Sequence, residues 1–215
     1  MRADPGRLLV IDTASEALSV ALFEDGALIG HHHEIAGRGH AEKLVPAIAT
    51  LPYGGRAQEI WVDAGPGSFT GIRVGLAAAR ALSFAWGAHL KSYSSLTLLA
   101  AQAQEMETQE EVLSIALTGG HGELFWQQFL RDTLEPLAPA TSVPIAELAA
   151  ATDSRTVYGT GAQTLVTARG LGEACLLYPD ARAALTLPRA AMSEEVTAHY
   201  GRGADAALPT PAAGA

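Results

Sequence analysis

Apolar positions fall in short blocks separated by glycine, proline and charge. Residues 8–11 are a continuous apolar run ending on Asp12, the pattern of a strand covered on both faces. Runs at 18–23 and 27–29 flank Asp25-Gly26, a pair that favours a tight hairpin. The opening therefore predicts three sequential antiparallel strands. Residues 40–51 carry Leu44, Val45 and Ile48 at helical spacing, and 59–63 reads as a further strand. Residues 70–86 predict a long helix, apolar over most of its circumference apart from Thr70, Arg73 and Arg80. Such a helix is either central core or leaves an apolar strip for another chain.

A helix over 96–106 follows, with a subdomain boundary near residue 100. Strands at 113–117 and 123–130 open a second group, with Phe125 and Phe129 on one face and Trp126 on the other. A helix at 145–151, a strand at 156–158 and a last helix over 188–200 complete the pattern. That last helix is expected to pack back on the first half. The two halves resemble each other in general plan, strands first and helices after. The low-complexity end, 204–215, predicts a disordered tail.

Between strand 59–63 and helix 70–86 lies Gly65-Pro66-Gly67-Ser68-Phe69-Thr70-Gly71-Ile72-Arg73-Val74-Gly75. Glycines at such a bend let backbone pack closely, and a helix N-terminus presents free N–H groups. A phosphate loop would need lysine directly after its last glycine, and this one has Ile72 and then Arg73. The dinucleotide spacing fails as well, because the third glycine comes one residue late. Pro66 stands where a nucleophile elbow at Ser68 requires glycine. By spacing, the loop reads as a tight turn seating a buried helix. No Ser/His/Asp order, Cys/His pair or metal quartet assembles elsewhere. His31, His32 and His33 offer two ligands on one strand face, too few for a closed zinc site. His40 begins a helix in which Leu44 stands where a helical metal pair needs a second histidine.

At 215 residues, 48% hydrophobic and 17% charged, the chain can bury a sizeable core as one large domain or two small ones. Its net charge of −9, with lysine at positions 43 and 91 alone, argues against nucleic-acid binding by this chain unaided. The single cysteine, Cys175, excludes an internal disulfide and fits a reducing compartment. Its apolar neighbours suggest inert core. No signal peptide opens the sequence, and no apolar run is long enough to cross a membrane.

As a string, the glycine loop resembles the signature of the TsaB (YeaZ) family. The likeness extends to Leu9-Val10-Ile11-Asp12-Thr13-Ala14-Ser15 and His40-Ala41-Glu42-Lys43-Leu44-Val45-Pro46, and more loosely to Gly122-Glu123-Leu124-Phe125 and Gly159-Thr160-Gly161. It implies an α/β, two-subdomain actin-like fold of the sugar kinase, heat-shock and actin ATPase group, each half a mixed sheet flanked by helices. The expected division is 1–100 for the first subdomain, with helix 188–203 packed on it, and 101–187 for the second.

The resemblance implies a non-catalytic scaffold subunit of the cytoplasmic complex that forms N6-threonylcarbamoyladenosine at position 37 of tRNAs reading ANN codons. Such a subunit binds and activates a TsaD-type catalytic subunit. A TsaE-type ATPase joins the larger complex, the chain forms a homodimer when alone, and tRNA is met only through the complex. ATP and a metal are expected on the partner.

Asp12, Thr13, Ser15, Gly65, Gly67, Ser68 and Gly71 would then be a degenerate nucleotide face, with Ala14 where the ATPases have glycine. The partner interface would use His40, Leu44, Val45 and Ile48 from one helix. The other helix would supply Ile72, Gly75, Leu76, Ala78, Ala79 and Leu82. Two departures stand out: Thr118-Gly119-Gly120 replaces the family's Asp-Ala-Arg, and the usual C-terminal Pro-x-Tyr-Leu-Arg-like stretch is missing. A nucleotide-dependent phosphotransferase of the same fold is the alternative, with a glycoprotease-type metallopeptidase behind it.

Overall fold

Asp25 and Gly26 both take left-handed backbone angles, φ 49° and 83°. That is the two-residue turn whose twist suits a hairpin. It joins strands β2 (Ala17–Glu24) and β3 (Ala27–Ile35). β1 (Arg7–Asp12) pairs antiparallel with β2, with Leu9 opposite Leu22 and Ile11 opposite Val20. β4 (Glu59–Asp63) and β5 (His89–Tyr93) then add in parallel, giving the order β3-β2-β1-β4-β5. Helix α1 (His40–Thr50) connects β3 to β4, α2 (Phe69–Trp86) connects β4 to β5, and α3 (Ser95–Gln104) follows. The computed structural model describes residues 6–37, 39–106 and 110–201.

The second half repeats this plan strand for strand. It contains β6 (Val112–Thr118), β7 (Glu123–Leu130), β8 (Thr141–Pro144), α4 (Ile145–Ala151), β9 (Thr156–Tyr158), α5 (Ala162–Arg169) and β10 (Glu173–Cys175). Read from β8, the sheet runs β8-β7-β6-β9-β10, with the first three strands antiparallel and the last two parallel. Two mixed sheets flanked by helices, each wound in the same order, make the two-subdomain actin-like architecture.

Three cores separate the layers. One lies between the first sheet and α1 with α2, built from Leu9, Ile11, Leu44, Ile48, Ile72 and Leu76 among others. A second lies between the two sheets, where α3 brings Leu96, Leu98 and Leu99 against Val10, Leu113 and Phe129. The third joins the outer face of the second sheet to α4 and α5 through Leu124, Leu148 and Leu165. Every residue of α3 but Gln102 and Gln104 is buried. A helix apolar on all sides belongs between two sheets. Among the described residues, no helix is long and apolar enough to cross a membrane.

Several expectations need correction. Residue 100 lies inside α3 rather than between elements. The segment from 188 contains one 3-10 turn, Arg189–Ala191, and then runs extended to residue 200. Its backbone groups bond elsewhere: Ser193 exchanges both amide bonds with Ser92, and His199 N–H donates to the Ala64 carbonyl. Met192, Val196 and Tyr200 stand at helical spacing, so these long-range backbone bonds override a local helical pattern. Residues 202–203 of the expected helix, and the expected tail 204–215, lie outside the described residues. β5 was hidden in the sequence because its composition, His-Leu-Lys-Ser-Tyr, is that of a polar edge strand. β8, α5 and β10 are short and carry little apolar pattern. Cys175 is partly exposed, with its Sγ 3.9 Å from Met106 Sδ, and so is not core.

Candidate functional site

β1 and β4 are parallel neighbours, and their C-terminal ends bring Asp12 beside Asp63. The chain leaves β1 through Thr13-Ala14-Ser15 and leaves β4 through the glycine loop. These two exits lock together. Ser68 N–H donates to the Ala14 carbonyl at 2.6 Å, and the Thr13 hydroxyl donates to the Gly71 carbonyl at 2.8 Å. A Cβ on Gly67 would run into the Ala14 carbonyl, and one on Gly71 into the Thr13 carbonyl. One on Gly75 would lie 2.5 Å from Thr13 Oγ1. The glycines are therefore needed for α2 to sit against the β1 turn. Ser68 caps α2, its Oγ accepting from Gly71 N–H at 3.3 Å.

Both aspartates are at most 1% exposed, and among the described residues their hydrogen-bond partners are neutral hydroxyl and amide groups. Asp63 accepts from Gly65 N–H at 2.7 Å and from the Ser95 hydroxyl at 2.6 Å. Asp12 accepts from the Tyr93 hydroxyl at 3.2 Å and from Ala14 N–H at 3.4 Å. Burial raises Asp63 to about 6 against the pull of Ser95 and Gly65. Burial, then the Asp63 charge and the bond to it, hold Asp12 well above the carboxylate range. Burial first, then both acids, push the Tyr93 phenol up. Burial and the neighbouring acid thus favour the neutral form of Asp12, while the Gly65 N–H and the Ser95 hydroxyl favour a charge on Asp63.

This arrangement does not fit a nucleotide with its cation. Asp12 is buried, and at the start of α2 the Ser68 N–H donates to the Ala14 carbonyl and the Gly71 N–H to Ser68 Oγ. The His199 carbonyl stands where a Cβ on Gly65 would lie. Among the described residues, no three His, Cys, Asp or Glu side chains could hold a metal ion. His32 lies 3.7 Å from Glu34 and His33 3.9 Å from Asp180, on opposite faces of β3. In the second half, Gly159 and Gly161 pack on the Ala116 carbonyl, and the Thr160 and Thr118 hydroxyls meet at 3.0 Å. That loop repeats the close packing of the first one.

The structure sets Asp12, Thr13, Gly65, Gly67, Ser68 and Gly71 side by side at the two strand exits, with Ser15 capping the next turn through Ala17 N–H. The residues expected to face a partner divide differently. His40, Leu44, Ile48, Ile72, Gly75, Leu76 and Ala79 are buried within this chain. His40 Nε2 lies 3.2 Å from the Ala17 carbonyl. Val45 is exposed, and Ala78 and Leu82 are partly so. Ile72, Gly75, Leu76 and Ala79 form one narrow stripe at helical spacing. The opposite face of α2 carries Ala77, Ala81 and Phe84, all exposed, with Phe84 93% so. Ala41, Val45 and Ala49 are exposed on α1, which packs on α2. The wheel position of Phe84, opposite that stripe, was the signal available in the sequence. Tyr93 was not legible as a partner of Asp12 because it ends a polar edge strand, and Asp63 because the pairing of β1 with β4 is not a local pattern.

A family model described as TsaD, tRNA N6-adenosine threonylcarbamoyltransferase, matches residues 28–156, more than half of the chain. The protein TsaB of Escherichia coli strain K12, named for tRNA threonylcarbamoyladenosine biosynthesis, is 33% identical over 59% of this chain and 56% of its own length. The TsaB of Haemophilus influenzae is 35% identical over 58% and 54%. The matched part thus spans little more than half of these curated relatives. A Pseudomonas aeruginosa structure, described as an uncharacterized protein with similarity to peptidase YeaZ, superposes with a TM-score of 0.76 at 27% identity. It covers 92% of this chain and all of its own. A second one, YeaZ from the same species, gives a TM-score of 0.71 over 85% and 90%. The chain belongs to the TsaD family of the matching model and, within it, to the TsaB (YeaZ) group.

Proposed function

We propose that this protein is a non-catalytic scaffold subunit in the formation of N6-threonylcarbamoyladenosine at position 37 of tRNA, binding and activating a TsaD-type catalytic subunit. The observation that carries the reading is the exposed apolar strip of α1 and α2, topped by Phe84 at 93% exposure. A ring of that size left in water on a helix otherwise lined by alanines marks a surface built for another chain. Small residues on both helices let a second helix pair approach closely, as in a four-helix contact. The same strip serves a homodimer when the catalytic subunit is absent.

The closed Asp12 turn supports the non-catalytic part of the reading, because the chain fills its own phosphate side. ATP and the metal then belong to the partner, and a TsaE-type ATPase joins the larger assembly. The net charge of −9 supports tRNA contact through the complex alone, in the cytoplasm. The test is reconstitution with a TsaD-type subunit from the same cell. Co-elution, with tRNA modification that needs both chains, is the expected result. Full modification by the catalytic subunit alone, or turnover by this chain alone, would refute it.

A further inference from the structure

We propose that residues 193–201 form a detachable latch across the mouth between the two sheets, and that its docking holds the glycine loop shut on the Asp12 turn. The segment leaves the edge of β5 at the Ser92–Ser193 bridge and runs back along α2. The Ser92 hydroxyl donates to the Glu195 carbonyl at 3.0 Å, and Arg80 donates to the Val196 carbonyl at 2.5 Å. His199 N–H donates to the Ala64 carbonyl at 2.7 Å, directly before Gly65.

The end of the segment is held by an aromatic and cationic stack. The Tyr200 and Phe69 rings lie 5.0 Å apart. The Arg73 guanidinium sits 3.6 Å from the Phe69 centroid, and its Nε donates to the Tyr200 hydroxyl at 3.0 Å. Such stacking over an aromatic face is attractive even near the surface. Gly201 then rests against Phe125 of the second sheet and Pro66 of the loop, where a Cβ would lie 2.8 Å from the Phe125 ring. One short stretch therefore touches the glycine loop, α2 and β7 together.

Two features make this a latch rather than a further core element. No residue from 192 to 201 is buried, and none belongs to a helix or strand. Segments with few buried contacts open at lower free energy than the fold as a whole. What the segment covers is different in kind, because Gly65 and Ile72 beneath it are buried. Opening the latch therefore uncovers the loop without melting the sheets.

Hydrogen exchange on the full chain, read by mass spectrometry, tests this with Tyr200→Ala and Arg73→Gln. Arg73 is exposed on α2, so the second variant keeps the test alive if the first fails to fold. The expected result is at least about ten-fold faster exchange in 64–71 and 193–201 together, with β6 and β7 unchanged. Faster exchange in the strap alone would overturn the proposal, since the loop would not depend on it. Equal acceleration everywhere would do so too, as would no change in either segment.

Discussion

Asp12 and Asp63 close neighbouring parallel strands and lie buried side by side, Asp12 accepting from the Tyr93 hydroxyl and Asp63 from that of Ser95. An acid pair of this kind binds more protons folded than unfolded. The unfolded carboxyls titrate near 3.8, whereas burial raises Asp63 to about 6 and holds Asp12 well above its ordinary value. Their contribution to stability is thus full below pH 4 and is lost as pH rises through 6. For Asp63 alone the shift corresponds to about 3 kcal/mol. Asp12→Asn keeps the shape and still donates to Asp63, so it should weaken this dependence. Urea unfolding at pH 4.5, 6 and 7.5 measures it. The variant is expected to gain stability relative to the wild type as pH rises, and a difference that stays constant or moves against the variant would contradict a raised acid pair.

Gly71→Ala sets two effects against each other. Helix propensity favours alanine by about 1 kcal/mol. The new methyl would meet the Thr13 carbonyl, and overpacking of this kind costs about 1–3 kcal/mol or more. Net destabilisation in denaturant titration is expected. A more stable variant would mean that the turn and the loop are not locked together.

Phe84→Asp and Leu76→Ala should separate association from folding. The first changes an exposed ring and should leave melting nearly unchanged while abolishing capture of a TsaD-type subunit. The second empties a core position and should cost about 2–5 kcal/mol of stability. Gly75→Leu belongs with the second class, since Gly75 faces Thr13 rather than solvent. Retained binding by Phe84→Asp and by Ala81→Arg would remove this face from the interface.

Calorimetric titration with ATP and Mg²⁺ is expected to give no saturable heat at micromolar protein. A micromolar Kd, about −8 kcal/mol, would require the Asp12 turn to open and would count against the scaffold reading.

Much of this was readable from residue order. The Asp-Gly turn, the run into Asp12 and the glycine loop each depend on local backbone chemistry, and each appears where expected. The face of α2 was not readable in the same way. Alanine fits a core and a surface equally well, so the run Ala77-Ala78-Ala79 has no direction until Ile72 and Leu76 are seen to share a stripe. The extended course of 192–200 depends on Ser92 and Ala64, far away in the chain, and no local pattern announces them. Likewise Asp63 becomes an acid of interest only when strand pairing sets it beside Asp12.

Helix α3 has a consequence for how the molecule can be divided. It packs on β6, β7 and β9 of the second sheet and shares one core with Val10 and Phe23 of the first. Neither half owns a closed interior without it. A fragment ending at residue 100 would carry a broken wall, and the complementary fragment would expose the face of β6. The duplicated strand order suggests two units, yet the shared helix makes them one piece of matter. The chain should melt in a single step and resist being built from separately folded halves.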